Sequence, residues 1–196
     1  MKRLLICTIA ICAVCTTAQA QSWLSALKKV ATEAVDSVTG GKLTEVAING
    51  TWSYSAPAIR LGDSSNTLAA LGSQAISATA GDKMASMLAK IGIKEGACSI
   101  TFNSDGSFSM PIGSRNITGT YTFDSESHAI KLKIGYLGTE IGGYAYISGD
   151  NLQLVFNIDK FKDFIVSLGS SIESLASVIA IVQEYDNISL GLEFKK

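Results

Sequence analysis

The sequence predicts a mainly β protein with accessory helices, built as an eight-stranded antiparallel up-and-down barrel. Apolar side chains occupy every second position through residues 97–156, which is the period of strands with one dry and one wet face. Turn sequences such as Asp105-Gly106 join these segments closely, so that neighbouring strands must run antiparallel. Closing the sheet removes exposed edges that would otherwise aggregate, so a barrel is favoured over an open sheet.

The N-terminus has the pattern of an export signal. Two basic residues precede an apolar run, and residues 18–20 form a small-x-small cleavage motif. We therefore expect a signal peptide over residues 1–20, cleavage between Ala20 and Gln21, and a mature protein that is periplasmic or secreted. The apolar run is too short to span a bilayer, so no transmembrane segment is expected in the mature chain.

The remaining elements follow from changes in apolar periodicity. Three- and four-residue spacing predicts an N-terminal amphipathic helix over residues 21–42, followed by a barrel domain over residues 43–196. Within the barrel domain the sequence predicts a first strand at about 46–55, a helical insert at about 62–92, strands that contain Ile100, Met110, Tyr121 and Leu132, strands at about 140–148 and 151–157, a long helix at about 159–183, and a last strand at about 187–194.

Composition excludes several classes of function. The chain has 16 Lys and Arg against 17 Asp and Glu, and loss of the signal leaves the mature chain mildly acidic. This balance argues against nucleic-acid partners and against binding to anionic membrane surfaces. Cys98 is the only cysteine beyond the signal and lies on the apolar face of a strand, so it is expected to be a buried, unreactive thiol.

The sequence contains no motif that specifies a chemistry, so we expect no enzyme activity, no metal and no cofactor. His128 is the only histidine and lies beside Glu126 and Ser127 in a turn, where a solvated side chain is expected. No acidic run has the spacing of a calcium loop. A distant pair of carboxylates for glycoside hydrolysis stays open, although no pair is singled out.

A family resemblance rests on the start of the first strand. Gly50-Thr51-Trp52, after a short helix, resembles the Gly-x-Trp signature of lipocalins, in which the tryptophan closes one end of the barrel. With the signal, the helical insert and a Cys-x-Ile-x-Phe strand followed by Asp-Gly, the chain resembles a family of exported lipocalin-like domains of unknown function from Bacteroidales. Lys195 and Lys196 stand where lipocalins commonly place an arginine against the tryptophan, and the insert is foreign to the usual lipocalin.

Two functions fit these observations. The first is a non-enzymatic, lipocalin-like protein that binds a small apolar or amphipathic ligand inside the barrel. The alternative is a structural or interaction module with a solid core, which binds a protein or glycan partner at its surface. An eight-stranded barrel is just wide enough either to be filled by side chains or to hold one small ligand.

The candidate ligand contacts are large inward side chains, tyrosines with a hydroxyl for an apolar pocket, methionines of the insert, and two arginines suited to a carboxylate head group. They are Trp52, Tyr54, Phe102, Phe108, Met110, Tyr121, Phe123, Tyr144, Tyr146, Phe156, Met84, Met87, Arg60 and Arg115. Ordinary core and sheet packing is the alternative role for the tyrosines.

Overall fold

The computed structural model describes residues 31–32, 34–36, 38–61, 80–135, 138–169, 175–182 and 187–196. The expected signal peptide, the first part of the N-terminal helix and most of the helical insert lie outside these residues. The elements in chain order are α1 (described residues 31–32, 34–36 and 38), α2 (Lys42–Ala47), β1 (Gly50–Leu61), α3 (80–90), β2 (Ser99–Phe102), β3 (Ser107–Ile112), β4 (Arg115–Asp124), β5 (Ala129–Ile134), β6 (Glu140–Ser148), β7 (Asn151–Asn157), α4 (Ile158–Ser167), α5 (Ala176–Val182) and β8 (Ile188–Lys195).

The strands form a closed barrel in sequence order, β1 to β8, and every neighbouring pair is antiparallel. The ring closes where β8 pairs with β1, so that the sheet has no edge. The predicted eight-stranded antiparallel barrel is therefore confirmed.

The barrel interior is packed with apolar side chains from the alternating positions of the strands. These inward residues are nearly inaccessible to solvent and include Trp52, Ile100, Phe102, Phe108, Met110, Ile130, Leu132, Ile134, Leu154, Phe156, Leu192 and Phe194. Two rings lie against glycines of the sheet: Phe108 is paired with Gly119 in the strand register, and a Cβ atom at Gly143 would lie 2.5 Å from Phe156 Cδ1. Each ring occupies the space that a side chain at its glycine would take. The aromatic rings therefore fill the barrel where its wall carries no side chain.

A β-bulge in β1 changes which residues face the interior. The register pairs Tyr54 with Phe194 and then Ala56 with Glu193, which leaves Ser55 without a partner position. The Ser55 hydroxyl donates to the Glu193 carbonyl oxygen at 3.1 Å. Beyond the extra residue the inward positions change parity, so Arg60 points out of the barrel.

Helices cover both ends of the barrel. The end that carries Trp52 also holds the hairpin turns at residues 103–106, 125–128 and 149–150, and we call it the tryptophan end; α2 packs there against β6. At the opposite end, α4 packs against β6, β7 and β8, while apolar residues of α3 and α5 join the same buried cluster. Apolar helix faces therefore extend the core beyond the opposite rim, while at the tryptophan end Ile48, directly after α2, joins the core.

The C-terminal helical region differs from the single helix predicted over residues 159–183. Helix α4 ends at Ser167, and Gly169 has a positive φ of 84°, with its N–H donating to the Val166 carbonyl oxygen. A left-handed glycine after the last turn terminates a helix, because it directs the chain away from the helix axis. Apolar residues continue at helical spacing beyond Ser167, so periodicity alone does not indicate that the helix ends there. The first strand also begins later than expected, at Gly50, because residues 42–47 form α2.

Lys196 contacts Trp52 at the end of the barrel where lipocalins commonly use an arginine. Its ammonium nitrogen lies 4.4 Å from the centre of the Trp52 ring and donates to the carbonyl oxygens of Ala47 and Asn49. The indole N–H of Trp52 donates to the Ile48 carbonyl oxygen at 2.7 Å. A lysine therefore supplies the cation at this position, and it also satisfies carbonyl groups at the C-terminal end of α2.

Replacement of this lysine tests the contact. We expect Lys196→Ala to lower the free energy of unfolding by about 1 kcal/mol, because it removes a cation–π contact and a cation at a helix C-terminus. Lys196→Arg is expected to retain most of the stability. Lys195→Ala is the matched control, since Lys195 is exposed and adjacent. Urea unfolding measures all three variants, and equal stability of the two alanine variants would contradict the assignment.

The adjacent glycines of β6 provide a matched pair that tests the packing of the interior. A Cβ atom at position 143 would lie 2.5 Å from Phe156 Cδ1 and 2.7 Å from the Val155 carbonyl oxygen, whereas one at position 142 would meet nothing within 4 Å. We therefore expect Gly143→Ala to destabilise the fold by about 1–3 kcal/mol, since it overpacks the core. Gly142→Ala is expected to change stability by less than about 1 kcal/mol. Thermal unfolding followed by circular dichroism compares the two, and similar losses would contradict a tightly packed interior.

Candidate functional site

The interior candidates pack against one another inside the barrel. Tyr54, Phe102, Phe108, Met110 and Phe156 are each at most 6% exposed. The Tyr54 ring meets Phe194 edge-on at a centroid distance of 6.1 Å, and burial raises the pKa of Tyr54 to about 12. These residues supply core packing. Their contact with a ligand stays a prediction.

Tyr121 and Phe123 are half-buried at the tryptophan end. The Tyr121 hydroxyl donates to the Asn49 side-chain oxygen at 2.9 Å and lies 3.1 Å from the Asn103 carbonyl oxygen. These contacts join the β2–β3 turn to the segment between α2 and β1. The sequence offers the Tyr121 hydroxyl as a contact in an apolar pocket, whereas in the structure this hydroxyl lies at the rim of the barrel.

The two methionine candidates lie on α3, and both belong to the core. Met84 is 0% exposed and Met87 is 4% exposed. Met87 also lines a surface cleft of about 300 Å³ between α3 and α5, together with Lys83, Lys90 and Ser177. The methionines thus anchor α3 on the barrel.

Arg115 connects two covering helices to the barrel. One terminal nitrogen of its guanidinium donates to the Leu168 carbonyl oxygen at 2.5 Å, and the other donates to the Ile91 carbonyl oxygen at 2.9 Å. These carbonyl groups lie at the C-terminal ends of α4 and α3, where backbone oxygens lack partners within the helix. Arg115 therefore acts as a clamp between β4, α3 and α4.

The remaining three candidates meet on the outer face of the barrel. Tyr144 and Tyr146 alternate with the inward Ala145 and Ile147, so both tyrosines point outward. Their rings are 6.4 Å apart with an interplanar angle of 22°. The guanidinium carbon of Arg60 lies 4.0 Å from the centre of the Tyr146 ring. For these tyrosines the sequence leaves two roles open, contact with a ligand in an apolar pocket or packing on the sheet surface. The pleat of β6 turns both side chains away from the barrel interior.

These side chains line a cleft of about 290 Å³ on the surface formed by β6, β7, β8 and β1. Val155 and Ile188 give the cleft its apolar lining, and both are buried. Polar groups come from Asn157, Asn187 and Ser189. We call this site the outer cleft.

A polar ladder holds Arg60 in place across the outer face of the sheet. A terminal nitrogen of Arg60 donates to the Gln153 side-chain oxygen at 2.9 Å. The Gln153 amide and the Asn151 amide each donate to a carboxylate oxygen of Glu193, both at 2.8 Å. Because these side chains come from three adjacent strands, the contacts tie the guanidinium of Arg60 to β7 and β8.

His128 is the residue that sequence analysis misjudged. It was expected in a solvated turn, but its side chain is 16% exposed and its Nε2 lies 3.0 Å from a carboxylate oxygen of Asp36. The ring stacks on Tyr146 with centroids 4.9 Å apart. The backbone of His128 has a positive φ of 56°. Asp36 and His128 are far apart in sequence, so no local pattern could have revealed the pair.

The same aspartate attaches the N-terminal helices to the barrel. Asp36 is 3% exposed and accepts hydrogen bonds from both the backbone N–H and the hydroxyl of Thr44. The Thr44 hydroxyl oxygen in turn accepts from the Ile147 N–H at 3.1 Å. This network satisfies a buried carboxylate and connects α1 and α2 to β6, the strand that carries the tyrosines of the outer cleft.

The remaining groups considered for chemistry are the Cys98 thiol and the possible metal ligands. Cys98 is 4% exposed and burial raises its pKa to about 12, so the thiolate is disfavoured at neutral pH. The described residues bring together no group of three or more His, Cys, Asp or Glu that could hold a metal ion. Among the same residues, no helix has the length and apolar character needed to cross a membrane.

A closed eight-stranded barrel with a Gly-x-Trp strand at one end defines a lipocalin-like protein. The family model of the Lipocalin-like domain (DUF4923) matches residues 25–196. The chain therefore belongs to this family. No curated protein matches the sequence.

One solved structure with similarity to the chain is that of a DUF4847 family protein from Bacteroides vulgatus ATCC 8482. The similarity covers 78% of this chain and 96% of the other, with 14% sequence identity and a TM-score of 0.35.

Proposed function

We propose that this lipocalin-like protein is an exported, non-enzymatic binding module, and that it binds a glycan partner in the outer cleft. The observation that carries the proposal is the convergence of Arg60, Tyr144 and Tyr146 around a surface cleft, in a barrel whose interior side chains are packed against one another. Of the two functions that the sequence favoured, these contacts support the surface-binding alternative.

The packing of the interior weighs against a carrier with its ligand inside the barrel. Phe108 and Phe156 occupy the space beside the inward glycines, and Trp52 lies under Lys196 at one end. At the other end, the rings of Phe156 and Phe164 stack with centroids 4.9 Å apart. A sterol or a fatty acid would have to displace several of these rings.

The residues that line the outer cleft support a carbohydrate as its ligand. Sugar rings have one apolar C–H face, which packs on aromatic side chains, and hydroxyl groups that require polar partners. Tyr144 is 40% exposed and supplies an aromatic ring. Asn187 and Ser189 supply an amide and a hydroxyl on the same surface. A few polar groups placed around an apolar surface give such pockets their specificity.

The role of His128 supports a non-enzymatic function. A general base needs a ring nitrogen directed at a substrate, whereas here Nε2 faces Asp36 and the ring packs on Tyr146. The buried Asp36 is satisfied by Thr44 as well. The pair thus supports the fold next to Tyr146, on which the His128 ring stacks.

Export is the part of the proposal that depends on residues 1–20, and an origin in Bacteroidales stays a prediction with it. The basic start, the apolar run and the small-x-small motif support cleavage after Ala20. We expect the mature protein to begin at Gln21. Intact-mass spectrometry of protein from the periplasm or the medium measures this, and an uncleaved chain in the cytoplasm would contradict export.

A glycan array tests binding at the outer cleft. We expect the purified protein to bind carbohydrate, and Tyr144→Ala to weaken binding by at least about tenfold, because aromatic contacts commonly dominate such sites. Thr120→Ala is the matched control: Thr120 is exposed and lies on β4, which is opposite β8 in the ring. Circular dichroism checks that both variants fold.

Three results would overturn the proposal. One is a lack of carbohydrate binding by the folded wild-type protein. Another is a lipid recovered in stoichiometric amount by organic extraction and mass spectrometry, since that result would favour a ligand inside the barrel. Equal loss in Tyr144→Ala and Thr120→Ala would likewise exclude the outer cleft as the site.

A further inference from the structure

The turn that carries His128 connects the N-terminal helices with the outer cleft. The His128 carbonyl oxygen accepts from the Ala145 N–H at 2.9 Å, which fixes the backbone of the turn to β6 beside Tyr146. A Cβ atom at Gly41 would lie 3.2 Å from Cε1 of His128, so the imidazole also lies against the junction of α1 and α2. His128 therefore contacts both the helices and the strand that carries the tyrosines of the cleft.

Asp36 sets the orientation of the His128 ring. Because the backbone of His128 is fixed, the freedom that remains to its ring is rotation about the side-chain bonds. Nε2 of the ring lies 3.0 Å from a carboxylate oxygen of Asp36. In this orientation the ring stacks on Tyr146, with centroids 4.9 Å apart and an interplanar angle of 23°. Tyr146 lines the outer cleft, so the carboxylate on α1 acts on the cleft through His128.

The same carboxylate attaches α2 to the barrel. The N-cap residue of α2 is a glycine, which has no side chain to accept from the first turn, and Asp36 accepts from the Thr44 N–H at 2.9 Å in its place. The Thr44 hydroxyl donates to Asp36, and its oxygen accepts from the N–H of Ile147, the residue after Tyr146. A second set of contacts therefore leads from Asp36 to the same part of β6.

Helix α1 is the element whose attachment depends on these contacts. Among the described residues of α1, Asp36 is buried, whereas Val35 and Val38 are 51% and 88% exposed. The buried apolar cluster includes none of the described residues of α1. Segments held by polar contacts open at a lower free energy than strands of the core do. Release of α1 would leave the His128 ring without the carboxylate that orients it.

We propose that Asp36 and His128 are positioning residues of the outer cleft: attachment of α1 fixes the ring of Tyr146 for a ligand, and a ligand in the cleft strengthens the attachment of α1. This inference rests on the proposed function and adds the regulation of the same site. The effect is reciprocal, because a ligand that binds more tightly when α1 is attached must favour the attached state.

NMR spectroscopy of the full mature chain without a ligand tests the positioning role. His128→Asn removes the stacked ring, and asparagine tolerates the positive φ of 56° at this position. We expect the Tyr146 ring protons to shift in this variant, because the ring current of His128 is lost. Asp36→Ala is expected to move the same protons in the same direction and to speed exchange of the Thr44 amide by at least about tenfold.

Controls separate a local release of α1 from a general loss of stability. Glu126→Gln changes an exposed side chain of the same turn and is expected to leave both signals unchanged. The Leu132 amide, in the middle of β5 between two paired strands, is expected to exchange at the same rate in every variant. Thr44→Val removes one hydrogen bond to Asp36 and is expected to give a smaller shift of the Tyr146 protons in the same direction. Unchanged Tyr146 protons in Asp36→Ala and Thr44→Val would overturn the positioning role.

A glycan array tests the coupling to a ligand. Asp36→Ala and His128→Asn are each expected to weaken the wild-type array signals by at least about fivefold, which is typical of coupling between two sites. The array glycan with the strongest signal, added as a free oligosaccharide, is expected to slow exchange of the Thr44 amide in the wild type but not in His128→Asn. Array signals equal to those of the wild type in both variants, or a bound glycan that leaves Thr44 exchange unchanged, would overturn the coupling.

The two experiments distinguish failure of this inference from failure of the proposed function. A negative array with the wild-type protein would overturn glycan binding and the coupling to it. A shift of the Tyr146 protons in Asp36→Ala would still assign the position of that ring to Asp36, since this measurement needs no ligand. A positive array with unchanged Tyr146 protons in Asp36→Ala and Thr44→Val would overturn this inference and leave the proposed function in place.

Discussion

The pairing of β1 with β8 is the constraint on which the rest of the molecule depends. It closes the barrel, and its register contains the bulge at Ser55 that reverses the faces of β1. Before the bulge Trp52 faces the interior, and after it Arg60 faces outward beside Ser189. One extra residue therefore lets a single strand contribute both to the closed core and to the outer cleft.

Closure alone would leave two open rims, and the covering helices seal them by different means. At the tryptophan end a hydrogen-bond network centred on Asp36 and a cation on Trp52 attach the N-terminal helices and the chain end. At the opposite end aromatic stacking between Phe156 and Phe164 seats α4, and Arg115 joins the ends of α3 and α4. Apolar side chains pack together inside the barrel, and the outer cleft lies on the outside of its wall.

The outer cleft is coupled to the attachment of the N-terminal helices through one line of contacts. Asp36 bonds to His128, His128 stacks on Tyr146, and the guanidinium of Arg60 lies over Tyr146. The cleft is therefore built on the same side chains that hold α1 on the barrel. A rigid site on packed strands keeps binding groups in place better than a site on loops does.

The alternation of apolar residues by itself determined the strands, their antiparallel order and the inward rings, because side-chain period and turn chemistry are local properties. Residue type also singled out Arg60, Tyr144 and Tyr146 as candidate ligand contacts, and it left an apolar pocket and the sheet surface open as the place of the tyrosines. Only the tertiary structure decided the break at Gly169, the pair of Asp36 with His128, and the contact of Lys196 with Trp52. The two contacts join residues that are distant in sequence, and the break depends on a left-handed glycine that periodicity does not reveal. Closure of the barrel places β1 and β6 on the same side of its outer surface. This neighbourhood cannot be predicted from a local sequence pattern, because the two strands are distant in sequence.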